Sequence, residues 1–377
     1  MSLHDELASL APGDPHILGE RLAELQFPFV DGSHATFAFR GPADEVVLHH
    51  WVYGLQSAQP FERIGSSDLW LFQMEIPARS RMEYKLEVVK DGQRQLVQDP
   101  LNPNAAHDPY GSNSVLHGEG YETPSWAQVN DEVRTGEIRE LGIGSDVFGE
   151  LRPVKVYLPA RFNESRRYPL LIVHDGDDFL RFSNLQQVLD NLIHRLEIPP
   201  VIVAMTTSPD RMTEYADDPR HGRFIAEELV PLLEERFPLV SSASARGLLG
   251  ASFGAVASLS AAWRHPGVFG SLCLLSGSFA FTDIGEHDRG PLFDRVVEFT
   301  NAFRENPGKP AERVFLACGT YESLIYYNRS MVPLLQKTGM DVRFEEARDG
   351  HNWENWRDRL RTALSWLYPG PLWLVYE

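Results

Sequence analysis

Cysteine is scarce in this chain: two of 377 residues, Cys273 and Cys318, each inside an apolar run ("LCLLS" and "VFLACG"). Without CxxC spacing they offer neither a cysteine zinc site nor a disulfide framework, and both read as buried, reduced thiols. Positive charge is also in deficit. Lys plus Arg number 35 against 53 Asp plus Glu, a formal net charge of -18. Such a surface repels phosphate backbones, so nucleic acid is not an expected partner. No apolar run approaches the length needed to span a bilayer. The opening stretch "MSLHDELASLAPGD" has neither the basic segment nor the apolar core of a secretory leader. These absences lead to the expectation of a cytoplasmic protein with no membrane partner.

What is present is ordinary globular material, 43% hydrophobic and 23% charged, in a chain too long for one typical domain. Two domains are expected. In the first, residues 1–125, "HATFAFRG", "EVVLHHWV", "LWLFQMEI" and "MEYKLEVVKDGQRQLV" have the β-rich, partly alternating pattern of short strands. "KDGQ" is a hairpin signal. A small all-β sandwich is predicted, with helix confined to the first twenty or so residues. The Pro-, Asn- and Gly-dense run Asp99–Val115 reads as irregular, and the linker follows it.

In the second, residues 126–377, apolar strands alternate with helical stretches. Leu185, Val188, Leu189, Leu192, Ile193 and Leu196 make one apolar helical stripe, with Ser183 as its expected N-cap. Strands such as "PLLIVHDG", "PVIVAMT" and "SLCLLSG" are apolar throughout. This alternation predicts an α/β domain with a mostly parallel sheet and helices on both faces.

In a sheet of that kind ligands sit at the carboxyl ends of the strands. "LLGASFGA" (residues 248–255) places Ser252 between two glycines, where an apolar strand gives way to a helix. The glycines permit a sharp turn and close strand–helix packing, which projects the hydroxyl forward. The helix start supplies the Phe253 N–H for a developing oxyanion. A serine nucleophile needs a base. Of 13 histidines, His265, His287 and His351 follow Ser252 as the chain order of this fold requires. His351, in the strand-to-helix loop "RDGHNWENW", is preferred, with His287 the main competitor. Glu322, after "RVFLACG", is the preferred acid, with Asp349, Asp283 and Asp294 as alternatives. The loop in which "LIVHDGDDF" ends would supply the second oxyanion donor, the N–H of Asp177 or its neighbour Asp178, with both carboxylates turned away.

At this point the pattern resembles the enterochelin esterase family, a branch of the α/β-hydrolases. "YPLLIVHDGDDF", "RMTEYADDPR", "FIAEELVPLLEERF", "RGLLGASFGAVASL", "HPGVFGSLCLLSGSF", "CGTYESLIYYNR" and "DGHNWENWRDRL" resemble family blocks in the family's order. "YKLEVVKDGQRQLVQDPLNPN" and "GSNSVL" resemble its early-set, immunoglobulin-like domain. The resemblance implies Ser252 as nucleophile, His351 as base, Glu322 as acid, an oxyanion hole near Asp177 and Phe253, and no cofactor or metal. It implies a small-molecule ester as substrate, with siderophore tri-esters as one class. Arg181, Phe281 and Tyr321 are candidates for substrate contact, and Arg211, Arg220 and Arg329 are further basic residues for an anionic substrate. One departure matters: the family's "SGSFWW" is here "SGSFAF", which loses two indoles and implies a different acyl pocket. Feruloyl or acylated-sugar esters and thioesters are alternatives, as is a non-catalytic glycan- or protein-binding module on a hydrolase scaffold. Self-association is left open.

Overall fold

The computed structural model describes residues 3–283 and 286–371. The chain divides into two compact units. The first comprises Met1–Glu122 together with two short returns, Gly319–Ser323 and Ala347–Asn352; the second comprises Thr123–Cys318, Leu324–Glu346 and Trp353–Glu377.

The first unit opens with helices Leu3–Leu10 and Pro15–Ala23. The second of these starts where the Asp14 carboxylate accepts from the His16 N–H, with Pro15 at the first helical position. Ten strands follow: β1 Phe29–Asp31, β2 His34–Arg40, β3 Glu45–His50, β4 Ala58–Pro60, β5 Glu62–Arg63, β6 Leu69–Glu75, β7 Arg81–Lys90, β8 Gln93–Val97, β9 Ala105–Asp108 and β10 Gly111–His117. They form two sheets, β1-β2-β6-β5 and β4-β3-β7-β10-β9, with β8 paired to β7. Phe37 and Trp70 from one sheet share a core with Leu48, Met82, Tyr84 and Leu116 from the other, so the two sheets form a sandwich. The β7–β8 turn has positive φ at both Asp91 and Gly92, the twist-matched geometry for a two-residue hairpin.

One sequence expectation fails here. Asp99–Val115 is not irregular throughout, because β9 and β10 lie largely within it. Their pairing is tertiary: Ser114 sits opposite Tyr84 of β7. The Tyr84 hydroxyl donates to the buried Asp99 carboxylate at 2.6 Å, and the Ser114 hydroxyl accepts from the Asp99 N–H. Small polar residues hold a strand because the neighbouring strand uses them.

The second unit is built on eight strands: β11 Glu137–Ser145, β12 Glu150–Leu158, β13 Leu170–His174, β14 Ile202–Thr206, β15 Arg246–Ala251, β16 Ser271–Leu275, β17 Arg313–Gly319 and β18 Asp341–Ala347. Their order is β11-β12-β14-β13-β15-β16-β17-β18. The sheet is mixed, which corrects the mostly parallel expectation. β14, β13, β15, β16 and β17 pair in parallel, but β11–β12 and β12–β14 are antiparallel. Residues 146–149 join β11 to β12, too few for the crossover a parallel pair requires. Successive residues feed opposite cores. Leu170, Ile172, Leu248, Leu272 and Leu274 belong to one, while Leu171, Val173, Leu249, Cys273 and Leu275 belong to the other. Both faces of the parallel strands are therefore covered. Cys273 and Cys318 are both buried and not joined in a disulfide, as read from their apolar settings.

Helix Leu185–His194 begins after Asn184, which adopts a left-handed conformation, φ 50. Ser183 is therefore not its N-cap; its hydroxyl donates instead to the Trp353 carbonyl at 2.8 Å. The apolar stripe ends early too, since Leu196 lies beyond the helix with φ 59 and is exposed. Among the described residues no helix is long and apolar enough to cross a membrane.

Candidate active site

The α/β unit carries the serine turn. β15 ends at Ala251 and helix Phe253–Arg264 begins two residues later. Ser252 between them has φ 57 and ψ -119, a conformation that costs an L-residue on the order of 1–3 kcal/mol. Packing holds it there. A Cβ at Gly250 would fall onto the Gly254 carbonyl, and one at Gly254 would press on His174 and Asp175. The Ser252 N–H donates to the Leu275 carbonyl at 2.9 Å, and its own carbonyl accepts from Ser278 at 3.2 Å. Its hydroxyl lies 3.2 Å from the Ser278 hydroxyl.

A second helix starts on the adjacent strand. β13 pairs in parallel with β15, and helix Gly176–Phe182 begins just past its end. Asp175 takes the left-handed turn there, φ 55, and a Cβ at Gly176 would collide with Met205. Both helices present first-turn N–H groups, including those of Phe253 and Asp177, at the same end of neighbouring strands. The Asp177 carboxylate pairs with Lys155 at 2.8 Å. Burial, and next the charge of Asp175, raise the Asp178 carboxyl above the usual range.

Arg211, read from the sequence as one of several basic residues for an anionic substrate, fastens both turns. Its guanidinium donates to both oxygens of the Asp175 carboxylate at 2.8–2.9 Å and to the Ala251 carbonyl at 3.3 Å. Behind β15 runs a buried polar chain that sequence reading missed. His174 Nδ1 lies 3.0 Å from the Ser258 hydroxyl, and His174 Nε2 lies 2.9 Å from His221 Nε2. Glu214 accepts from both Arg152 Nη atoms at 2.7 and 3.1 Å. Burial, and next His221, keep His174 well below its ordinary pKa and therefore neutral. Burial would raise Glu214, but the neighbouring His221, 3.7 Å away, together with Arg152 and Ser208 outweighs it and holds the carboxyl at about 2. The available signal was a histidine at the end of the apolar run "LLIVH".

The other two candidate residues lie in the first unit. Gly319 ends β17, and the loop after it brings Glu322 back so that its Oε1 accepts from the Gly319 N–H at 2.7 Å. Its Oε2 is 2.7 Å from His351 Nδ1. The Glu322 side chain is 1% exposed and that of His351 38%. No side chain fits at Gly319, because a Cβ would meet the Asp349 carbonyl. The rival residues have other partners. Asp349 accepts from Arg81 Nη1 at 3.3 Å. Asp294 lies 2.9 Å from His287. His265 caps the end of helix Phe253–Arg264, with Glu227 3.6 Å away.

The expected substrate contacts are dispersed. Arg181 is exposed, its guanidinium carbon 4.9 Å from the Phe182 ring centre. Phe281 packs edge-on against Tyr327, with the Arg304 guanidinium carbon 3.7 Å from its ring centre. Tyr321 is half-buried in the loop of Glu322, and its N–H donates to the Asp349 carbonyl. Arg220 and Arg329 pair with Asp218 and Glu346. The "SGSF" run is fixed by buried Asn328, which accepts from the Gly277 N–H and donates to its carbonyl. Among the described residues no group of three or more His, Cys, Asp or Glu side chains is arranged to hold a metal ion.

This arrangement has known counterparts. The iron(III) enterobactin esterase of Escherichia coli K12 is 23% identical over 371 residues, covering 87% of this chain and 90% of that protein. The crystal structure of an enterochelin esterase from Shigella flexneri superimposes with a TM-score of 0.73 at 21% identity, covering 97% and 100% of the two chains. A ferulic acid esterase from the fungus Anaeromyces mucronatus matches with a TM-score of 0.51 at 17% identity, covering 64% of this chain and 94% of that one. The fold is thus that of an α/β-hydrolase, preceded along the chain by a unit of two β sheets and two short helices. The family model described as "Putative esterase" matches residues 145–367, more than half of the chain. The chain belongs to that esterase family and is a carboxylic-ester hydrolase.

Proposed function

We propose that the chain hydrolyses its ester by a serine mechanism, with Ser252 as nucleophile, His351 as general base and Glu322 as the acid that orients the imidazole. The observation that carries this reading is the strained backbone of Ser252 between β15 and its helix. A strained, sterically enforced turn marks functional sites more often than scaffold. The His351–Glu322 hydrogen bond at 2.7 Å supports the assignment of base and acid. With its Nδ1–H held by a carboxylate, the imidazole presents Nε2 as the acceptor for the serine proton. Ser252 Oγ then attacks the ester carbonyl, and the N–H groups of Phe253 and Asp177 stabilise the oxyanion. His351 returns the proton to the departing alcohol. Water, activated by the same imidazole, frees the acid and restores the serine.

For substrate class we propose a siderophore tri-ester or a related small ester, on the strength of the relatives that act on enterobactin. A feruloyl-type ester is the second reading, favoured by the similarity to a ferulic acid esterase and by Ala280 and Phe281 in place of two indoles. Fluorophosphonate labelling tests the mechanism. Labelling confined to Ser252, lost in Ser252→Ala and suppressed in His351→Ala, is expected; labelling that survives Ser252→Ala rejects the nucleophile. Turnover of ferric tri-ester, feruloyl and p-nitrophenyl esters, each compared with Ser252→Ala, separates the substrate classes.

A further inference from the structure

The β sandwich is more than an appendage on a hydrolase, because the loops of Glu322 and His351 cluster with it in one unit. The grip centres on Arg81, the first residue of β7, whose side chain is 1% exposed. Its Nη1 donates to both Asp349 oxygens at 3.3 and 3.4 Å and to Asn352 Oδ1 at 2.9 Å. Its Nη2 donates to Glu83 at 3.1 Å, and its backbone N–H donates to the Arg348 carbonyl at 2.9 Å. In return, Arg348 Nη1 donates to the Ala78 carbonyl at 2.9 Å.

Asp349 passes this hold along the loop. Its Oδ1 accepts from the Gly350 N–H at 2.7 Å and from Asn352 Nδ2 at 2.8 Å. Residues 349, 350 and 352 are thereby fixed around His351, whose side chain turns to Glu322 instead. The acid loop is tied to the same frame. The Tyr321 N–H donates to the Asp349 carbonyl at 3.1 Å, and the Tyr321 carbonyl accepts from the Tyr53 N–H at 2.8 Å.

We propose that Arg81 is a positioning residue for turnover: through Asp349 and Asn352 it holds the His351 loop in register with Glu322. The inference rests on His351 being the general base. A buried ion pair is a weak source of stability compared with apolar packing of the same volume, whereas it fixes geometry well. Burial keeps the Asp349 carboxyl high, at about 6, even beside the Arg81 charge. The pair is thus maintained against a desolvation cost, as expected where register is what the contact supplies.

The test is steady-state hydrolysis of a p-nitrophenyl ester by Arg81→Met, Arg81→Lys, Asn352→Ala and the combination of Arg81→Met with His351→Ala. Near-UV circular dichroism reports on folding. Arg81→Met is expected to lower kcat by about 10- to 100-fold, the scale set by a misplaced catalytic group, with KM changed by less than about 3-fold. Arg81→Lys should recover part of that loss, and Asn352→Ala should lower kcat by about 3- to 10-fold. The double variant should be no slower than His351→Ala alone. The proposal is overturned if folded Arg81→Met keeps its kcat, if only KM moves, or if the loss persists undiminished in the His351→Ala background. Should Arg81→Met not fold, unchanged kcat in both Arg81→Lys and Asn352→Ala overturns it equally. Wild-type turnover in His351→Ala would instead reject the assignment of the base itself.

Discussion

Two regions of this molecule hold the proposed catalytic side chains, and they draw on shape and charge in different measure. The Ser252 turn is held by shape: glycines with no room for a Cβ, a strained backbone and a helix packed against its own strand. The loops of Glu322 and His351 are held by charge: a buried guanidinium, a buried carboxylate and a net of backbone donors. Shape can be written in a few adjacent residues. Charge pairing can join residues 268 positions apart, as Arg81 and Asp349 are. The proposed nucleophile therefore announces itself in a local motif, while the support for the proposed base does not.

The comparison sharpens when each side is broken separately. The largest effect is expected from Ser252→Ala, which should lower kcat by about 10³-fold or more in a steady-state ester assay. Glu322→Gln keeps the volume but removes the charge proposed to orient and stabilise the imidazole, and should lower kcat by about 10²- to 10⁴-fold with KM little changed. Gly250→Ala attacks shape instead. Its methyl must displace the Gly254 carbonyl, so a loss of about 1–3 kcal/mol in urea-unfolding stability is expected along with reduced labelling of Ser252.

The smallest effects are in pH dependence, where the two regions should have opposite signs. Asp349 has a folded pKa of about 6, raised by burial above its ordinary 3.8. The folded state therefore binds its proton more tightly, and this contribution to stability falls as pH rises from about 4 to about 6. His174 is depressed below 6.5 by burial and then by His221. The unfolded state takes up its proton first, so that contribution falls as pH drops below about 6.5. Urea midpoints measured between about pH 4 and pH 7.5 should lose the first slope in Asp349→Asn and the second in His174→Gln.

Legibility in the sequence followed the same division. "LLGASFGA" encodes strand, turn and helix within eight letters, so the setting of Ser252 could be read directly. The apolar strands β13 to β17 were equally visible. β11 was not, because "EIRELGIGS" is largely exposed and pairs only with β12. β10 was hidden among Asn, Ser and Gly, whose strand state depends on Tyr84 and Asp99 far from a local pattern. Arg211 stood in the sequence as one of several basic residues for an anionic substrate, and Arg81 as one arginine among many. Only the fold shows that one fastens two helix starts and the other grips a loop.

The two returns, Gly319–Ser323 and Ala347–Asn352, also bear on how the chain is made. Synthesis runs from the amino terminus and domains generally close as they emerge, yet two of the partners of Arg81, Asp349 and Asn352, lie beyond residue 347. The sandwich must leave the ribosome with Arg81 held by Glu83 but not yet by Asp349 or Asn352, and that net is completed only when nearly the whole polypeptide has been translated. A sandwich excised at residue 122 would lack the two returns that complete its unit, and the remaining chain would carry those returns without the strands they cluster with.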